Sequence, residues 1–300
     1  MSQPKIGLVT VLFNCPDVLP DFFRCLVRQT YTNYILYIVD NSTNDDSYLL
    51  SKEFTEKYQL TNVVFIKNNK NVGVAAANNQ GTSAAINAGC DYVLLLNNDI
   101  EFDNQRLLEQ LVDESINNNE PVIVPKITYY DSGKLWYAGG DINEWKGITV
   151  HFGDKKDDTE EFNQVGYTKY APTCFMLIHK SIFEKIGMMD EDYFVYYDDT
   201  DFVFRLNAMG FKILYFPKIS IAHKVSSSTG GETSLFSVYY GNRNRIYFIL
   251  KNLSGIRLMS SLAFTLSSRV IKCFLYNKIL RKKMLSGLYD GIKLSISNAK

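Results

Sequence analysis

The chain has 300 residues, 46% of them hydrophobic and 21% charged, and its 32 basic residues balance its 32 acids. This composition excludes a mostly disordered chain, and the length allows one large domain or two small ones around a sizeable core. The charge balance is a cancellation: residues 251–300 hold ten Lys and Arg against the single acid Asp290, so this tail carries +9 and the preceding part −9.

The five cysteines, Cys15, Cys25, Cys90, Cys174 and Cys273, are odd in number and form no C-x-x-C pair. Their spacing predicts neither a disulfide framework nor a zinc knuckle and points to a reducing compartment. The N-terminus "MSQPKIGLVTV" shows no apolar run before a cleavage site, so no secretory signal is expected. No segment has the roughly 18 uninterrupted apolar residues of a spanning helix.

The first hundred residues alternate. "KIGLVTVLF" (5–13) reads as a strand and "DVLPDFFRCLVRQT" (17–30) as a helix. Strand 34–40, helix 45–58, strand 62–67, Ala-rich helix 73–89 and strand 91–97 follow. Such alternation predicts a parallel sheet with helices on both faces, and continuous apolar strands fit burial on both sides. After 120 the pattern loosens. A strand is expected at 120–130, a hairpin-like pair at 134–153, a mobile charged loop at 154–164, and a strand running into a helix at 173–187. Residues 193–217 read as an acid-rich helix start and a strand, 224–234 as a flexible Ser/Thr/Gly connector, and 235–298 as helical.

Two strands end in carboxylates, Asp40 and, in "LLLNNDI" (94–100), Asp99. Ligands of open parallel sheets bind outside the carboxyl ends of the strands, so both should face one crevice. Asp40 in "DNSTNDDS" also suits a turn or cap. At Asp99 the run Asn97-Asn98-Asp99 offers three side-chain oxygens to a hard cation. A second cluster, Asp198, Asp199 and Asp201 in "YYDDTDFVFRL", crowds one helical turn among aromatic residues. The helix dipole favours acids there, and aromatic walls raise a carboxylate's pKa toward that of a useful base. His223 after "FPKISIA" is a strand-end side chain or a ligand, and His151 and His179 read as surface or packing residues.

In this order, "VTVLFN" (9–14), "IVDNSTND" (38–45), "NVGVAAANNQG" (71–81), "LLLNNDI" and "FVYYDDTDFVFR" (194–205) resemble the motifs of the family 2 glycosyltransferases of GT-A fold, in their rhamnosyltransferase-like branch. "YYGNRN" (239–244) is similar to a further segment of that branch. The resemblance covers about residues 5–250. It implies an α/β fold with a mostly parallel central sheet, a catalytic part at 1–234 with nucleotide-binding (1–100) and acceptor-binding (101–234) halves, and a helical extension at 235–300. It implies that Asp40 hydrogen-bonds a uracil or thymine base and that Asn41, Ser42, Asn71, Gly73, Asn78, Asn98 and Arg243 surround the donor. Asp99 and His223 would hold Mg²⁺ or Mn²⁺, Asp199 would be the general base, and Asp201 would orient the acceptor or the base.

The implied activity is inverting transfer of a sugar, such as rhamnose, from a dTDP- or UDP-sugar to a glycan or lipid-linked acceptor. The sequence departs from the pattern at Ala76 and Ala77, where Gly is common, at Asp198 in place of Glu, at Thr173 in place of Gly, and in offering one charged residue at 97–99. A sugar nucleotidyltransferase would want a Gly-rich basic loop after the first strand, where "FNCPDVLP" stands. A non-catalytic sugar-nucleotide or glycan-binding scaffold would not need the intact Asp99 and Asp199. The basic, apolar-striped tail reads either as a helical subdomain packed on the catalytic body or, preferred here, as an interfacial helix pair on the inner face of the cell membrane, with the enzyme otherwise cytoplasmic, and no nucleic-acid motif accompanies it.

Overall fold

The computed structural model describes residues 3–224 and 233–298. Most of the expected connector at 224–234 thus lies outside the described residues.

The N-terminal half builds β1 (Ile6–Leu12), α1 (Leu19–Val27), β2 (Tyr34–Asp40), α2 (Asp46–Lys57), β3 (Val63–Lys67), α3 (Val74–Asn87) and β4 (Tyr92–Leu96). These strands run parallel in the order β3-β2-β1-β4. Every residue of β4 is buried, as both-face coverage requires. The Ala-rich character of α3 has a packing cause. A Cβ on Gly7 would fall 2.3 Å from the Ala85 Cβ, and one on Gly81 would fall 2.4 Å from a Val9 methyl. Helix and sheet therefore approach more closely than larger side chains allow.

Beyond β4 come β5 (Ile100–Glu101) and α4 (Leu107–Asn118). The sequence reading left this segment unassigned. Its signal is Leu107, Leu108, Leu111, Val112 and Ser115, all buried at helical spacing. Then follow β6 (Val122–Tyr129), β7 (Leu135–Tyr137), β8 (Gly140–Asn143), β9 (Ile148–His151), β10 (Gly166–Thr168), β11 (Phe175–His179), α5 (Lys180–Ile186), α6 (Asp198–Ala208) and β12 (Ile213–His223). The crossover through α4 leaves a one-strand gap between β4 and β6, and β11 fills it antiparallel to both. β12 lies parallel to β6 and carries β10 and the short β5 antiparallel. Parallel pairing thus holds the N-terminal half, and the second half is mixed.

Two readings of the second half change. β12 does not stop at Pro217 but runs on to His223, because the pairing with β6 shifts between Phe216 and Ser220 and so spares the missing proline N–H. The charged loop 154–164 is tied down. Buried Lys126 pairs with Asp158 and donates to Asn163 Oδ1 at 2.7 Å, and Leu135 N donates to Lys156 O at 2.9 Å. The predicted hairpin pair is β8 and β9, which form a sheet of their own.

The C-terminal region forms α7 (Leu235–Asn252), α8 (Gly255–Leu275) and α9 (Lys278–Asn298). Tyr247, Phe248 and Ile249 of α7 belong to the same hydrophobic core as the sheet. α9 lies against the α7 backbone at two glycines one turn apart. A Cβ on Gly287 would meet Tyr239 O at 2.5 Å and one on Gly291 would meet Arg243 O at 2.3 Å. α8 buries only Ser261, Thr265 and Arg269 and exposes Ile256, Met259, Ile271, Phe274 and Leu275.

Candidate active site

The polar residues of "LLLNNDI" form a turn at the end of β4. Asn98 donates to Val11 O at 2.7 Å, which ties the turn to β1. The pairing of β5 with β12 sets Ile100 opposite His223, and Lys224 N donates to Asp99 O at 2.8 Å. This register brings together residues 124 apart in sequence: His223 Nε2 lies 3.1 Å from Asp99 Oδ1, with both side chains buried. His223 packs edge-on against Trp136, and its Nδ1 has no partner among the described residues.

Asp99, His223, Asn97, Asn98, Asn41, Asn71, Gly73 and Asn78 line a cavity of about 350 Å³ at the strand ends. Asn41 donates to Gly73 O at 3.0 Å, and Gly73 N donates to Asn71 Oδ1 at 2.9 Å. Gly73 has φ +92°, and a Cβ there would fall 2.7 Å from Phe194 O, so this position admits glycine only. Asp40 is buried one layer behind, accepting from Ser42 N at 3.0 Å. Ser42 Oγ accepts from Asn14 N at 3.0 Å. The crevice is lined by Asn41 next to Asp40, while neither Asp40 nor Ser42 reaches its wall.

A second cavity, of about 560 Å³, shares Val74, Asn97, Val195, Tyr196 and His223 with the first. Asp198, Asp199, Tyr170, Thr173 and Trp136 also line it. Asp199 Oδ2 accepts from the Tyr170 hydroxyl at 2.6 Å, and Oδ1 accepts from Thr200 N at 2.6 Å and from its hydroxyl at 3.1 Å. Burial pushes the Asp198 carboxyl well above the ordinary carboxylate range, with the adjacent Asp199 charge adding to the shift. Tyr170 stacks on His151 at 5.6 Å, and burial lowers the His151 pKa. The packing reading of His151 therefore acquires a place beneath the Tyr170–Asp199 bond. His179 caps α5, accepting from Ser181 N.

Asp201 lines neither cavity. It is fully buried and accepts from Arg205 Nε at 2.8 Å, Lys251 Nζ at 2.8 Å, Asn252 Nδ2 at 2.9 Å and the Tyr193 hydroxyl at 3.2 Å. Burial alone would raise its pKa, yet Arg205 and Lys251 hold it below the ordinary carboxylate range. Arg243 also lies off both cavities, donating to Asp192 O and covering the Tyr240 ring. Its neighbour Asn244 is the residue sequence reasoning missed. Phe194, Tyr196 and Tyr197 adopt φ of 63–65°, strained for bulky side chains. The Asn244 amide donates to Tyr193 O, Val195 O and Tyr196 O at 2.6–2.9 Å and so holds this segment of the shared wall in place. Its only sequence signal is its place in "YYGNRN".

The profile of Glycosyl transferase family 2 matches residues 8–187, more than half of the chain. The chain belongs to this family. The glycosyltransferase is 25% identical to the dTDP-rhamnosyl transferase RfbF of Shigella flexneri, over 87% of each chain. It is 23% identical to the low-salt glycan biosynthesis hexosyltransferase Agl10 of Haloferax volcanii, over 85% of this chain and 79% of that protein. A 23% match to the O-antigen biosynthesis protein RfbC of Myxococcus xanthus covers 76% of this chain but 18% of RfbC. Among solved structures, the mannosyltransferase PcManGT from Pyrobaculum calidifontis, in complex with GDP-Man and Mn²⁺, superposes with TM-score 0.60 at 13% identity, covering 100% of this chain and 89% of that one. S. aureus TarS 1-349 superposes with TM-score 0.61 at 14% identity, covering 99% and 82%. These likenesses establish the GT-A fold of the glycosyltransferase.

Proposed function

We propose that the enzyme transfers a sugar, rhamnose or another hexose, from a dTDP- or UDP-sugar to a hydroxyl of a glycan or lipid-linked acceptor, with inversion. The observation that carries the reading is the shared wall: Asp99 lines one cavity, Asp199 lines the next, and His223, Asn97 and Tyr196 line both. The strand-end cavity receives the donor, with Asn41, Asn71, Gly73, Asn78 and Asn98 around it and Asp40 and Ser42 behind. The names of RfbF and of the structural relatives, one holding GDP-Man with Mn²⁺ and one holding UDP, support a sugar nucleotide.

The donor set fits a divalent ion. Asp99 and His223 supply one carboxylate and one imidazole, and among the described residues no group of three or more His, Cys, Asp and Glu could hold a metal. Mg²⁺ and similar ions take one or two protein ligands when substrate phosphates complete the shell. Mg²⁺ or Mn²⁺ bound there supplies charge neutralisation at the diphosphate leaving group.

Asp199 takes the proton of the acceptor hydroxyl. The neutral donors Tyr170 and Thr200 fix its orientation without a cation to weaken it as a base. Attack opposite the leaving group needs this one base, whereas two carboxylates serve glycoside hydrolysis. Asp201 joins α6 to α7 and so sets where Asp199 stands. Arg243 acts in the same way on the segment that begins at Asp192.

The helical extension starts in the core with α7, and α9 returns onto α7, with Leu294 packed against the core, while α8 is largely exposed. α8 is long enough and, at mean hydropathy 1.3, apolar enough to cross a membrane. One face of it is buried at Ser261, Thr265 and Arg269, however, with Arg269 Nε bonded to Asn242 of α7 and Ser261 Oγ to Glu144 O, so the reading is an interfacial helix on the inner face of the cell membrane.

The test is calorimetric binding of dTDP-rhamnose, UDP-sugars and GDP-mannose with and without Mn²⁺, followed by transfer assays with Asp199→Asn. Binding of at least one donor, strengthened by the ion, and loss of transfer in the variant support the reading. A folded Asp199→Asn enzyme with full transfer activity ends it.

A further inference from the structure

Two arginines between α7 and α8 are buried without an acidic partner. Arg245 and Arg269 are 7% and 9% exposed, and the charged or polar groups acting on them include no described Asp or Glu. Arg269 Nε donates to Asn242 Oδ1 at 2.6 Å and Nη1 to Ser268 Oγ at 2.9 Å. Arg245 Nη2 donates to Lys146 O at 2.6 Å, but its buried Nε has no acceptor among the described residues. Thr265, fully buried one turn before Arg269, likewise has a hydroxyl with no partner there. A guanidinium keeps its charge at neutral pH, and uncompensated buried charge is strongly unfavourable. Arg269 bonds Asn242, three residues before Arg245 on α7, and Arg245 covers the ring of Phe264, next to Thr265 on α8, so both guanidinium groups lie in the α7–α8 seam, and burial lowers the pKa of each.

Arg245 lies one helical turn beyond the wall of the Asp199 cavity. Ser237, Gly241 and Arg245 recur every four residues on one face of α7, and the first two line the Asp199 cavity. A Cβ on Gly241 would meet nothing within 4 Å, so this wall is open. On the other side the half-exposed Phe264 ring sits between Lys146 Nζ, 5.4 Å from its centre, and the Arg245 guanidinium at 5.5 Å.

We propose that Arg245, Arg269 and the Thr265 hydroxyl form a receptor for one phosphate group, next to the acceptor cavity. Guanidinium forks match phosphate oxygens bidentately, and a buried anion there relieves the repulsion between the arginines and gives Arg245 Nε and Thr265 Oγ1 their missing partner. The phosphate belongs either to a soluble phosphate ester or to a lipid headgroup, since Leu266 and Val270 of α8 are exposed nearby in sequence. The inference rests on the proposed function only in placing this phosphate on the acceptor side.

Thermal unfolding in metal-free buffer, with and without inorganic phosphate, tests the site. Wild type should gain roughly 3–5 °C in Tm at saturating phosphate. Arg269→Met should melt above wild type in phosphate-free buffer, because one unpaired cation is gone, and should show no phosphate shift. Thr265→Val, nearly isosteric, should keep the fold and reduce the shift. Asp99→Asn should keep the whole shift, which separates this receptor from the donor site and from failure of the transferase reading. Co-sedimentation with phosphatidylcholine vesicles, with and without phosphatidic acid, identifies the source. A preference for phosphatidic acid that falls several-fold in Arg269→Met, while exposed-face Phe274→Ser loses all sedimentation, assigns a lipid phosphate. A phosphate shift with no such preference assigns a soluble ester. The proposal is overturned if wild type responds to neither probe, or if Arg269→Met and Arg245→Met respond as wild type does.

Discussion

Asp199 and Asp201 stand two residues apart at the start of α6, one on the wall of the second cavity and the other at the junction with α7. Asp199 accepts from a phenol, a backbone N–H and a hydroxyl, all neutral. Asp201 accepts from Arg205, Lys251, Asn252 and Tyr193. One carboxylate is oriented without being neutralised, which suits the proposed base. The other is neutralised by cations from two helices, as a tether must be. Asp198, buried on the cavity wall, is a third case, a carboxyl whose pKa burial raises. A run of acids in one turn therefore divides into separate tasks by what each side chain meets.

The largest effect that sharpens this contrast is expected from Asp199→Asn, with transfer falling about 10²–10⁴-fold and donor binding retained, measured by initial rates and calorimetry. Asp201→Asn should act on folding, lowering unfolding free energy by about 3 kcal/mol in urea titrations, at the low end for a broken buried pair because Arg205 and Lys251 reach water. Equal loss of activity in both variants at unchanged stability would break the comparison.

Asp198→Asn should change the pH dependence of stability. The folded-state pKa of Asp198 is raised, so its contribution is complete below the ordinary carboxylate value of 3.8 and is lost as pH rises toward about 8. Wild type should thus lose stability on this account as pH rises above the ordinary carboxylate value, and the variant should lack that slope, as measured by urea titrations across pH. Asp201 works in the opposite sense, its lowered pKa giving stability at neutral pH that disappears as acid protonates it. The smallest effect is expected from Tyr170→Phe. Removing the 2.6 Å bond to Asp199 should lower kcat by roughly tenfold, the equivalent of about 1.4 kcal/mol, with the donor KM unchanged.

Much of this architecture is legible in the chain. Continuous apolar strands alternating with helices announce the parallel half, and β1 to β4 fall within a few residues of their expected places. The antiparallel β11 and the helix α4 were harder. Strand direction depends on how the chain returns to a gap left elsewhere, and α4 lies in a polar stretch whose leucine spacing is its one mark. The passage of β12 through Pro217 depends on a register shift that no local pattern encodes.

The site divides in the same way. Residue type and order alone determined that carboxylates at 99 and 199 would border cavities near strand ends and a helix start, because apolar runs fix where each strand must stop. The family resemblance already joins Asp99 and His223 at one site, but only the tertiary structure decided that the register of β5 on β12 sets them 3.1 Å apart, that Asp201 is claimed by α7, and that Asn244 braces the strained aromatic segment. Those outcomes arise from contacts between residues tens to more than a hundred positions apart, and pairing across such distances is set by packing of the whole sheet and its helices, which local periodicity does not carry.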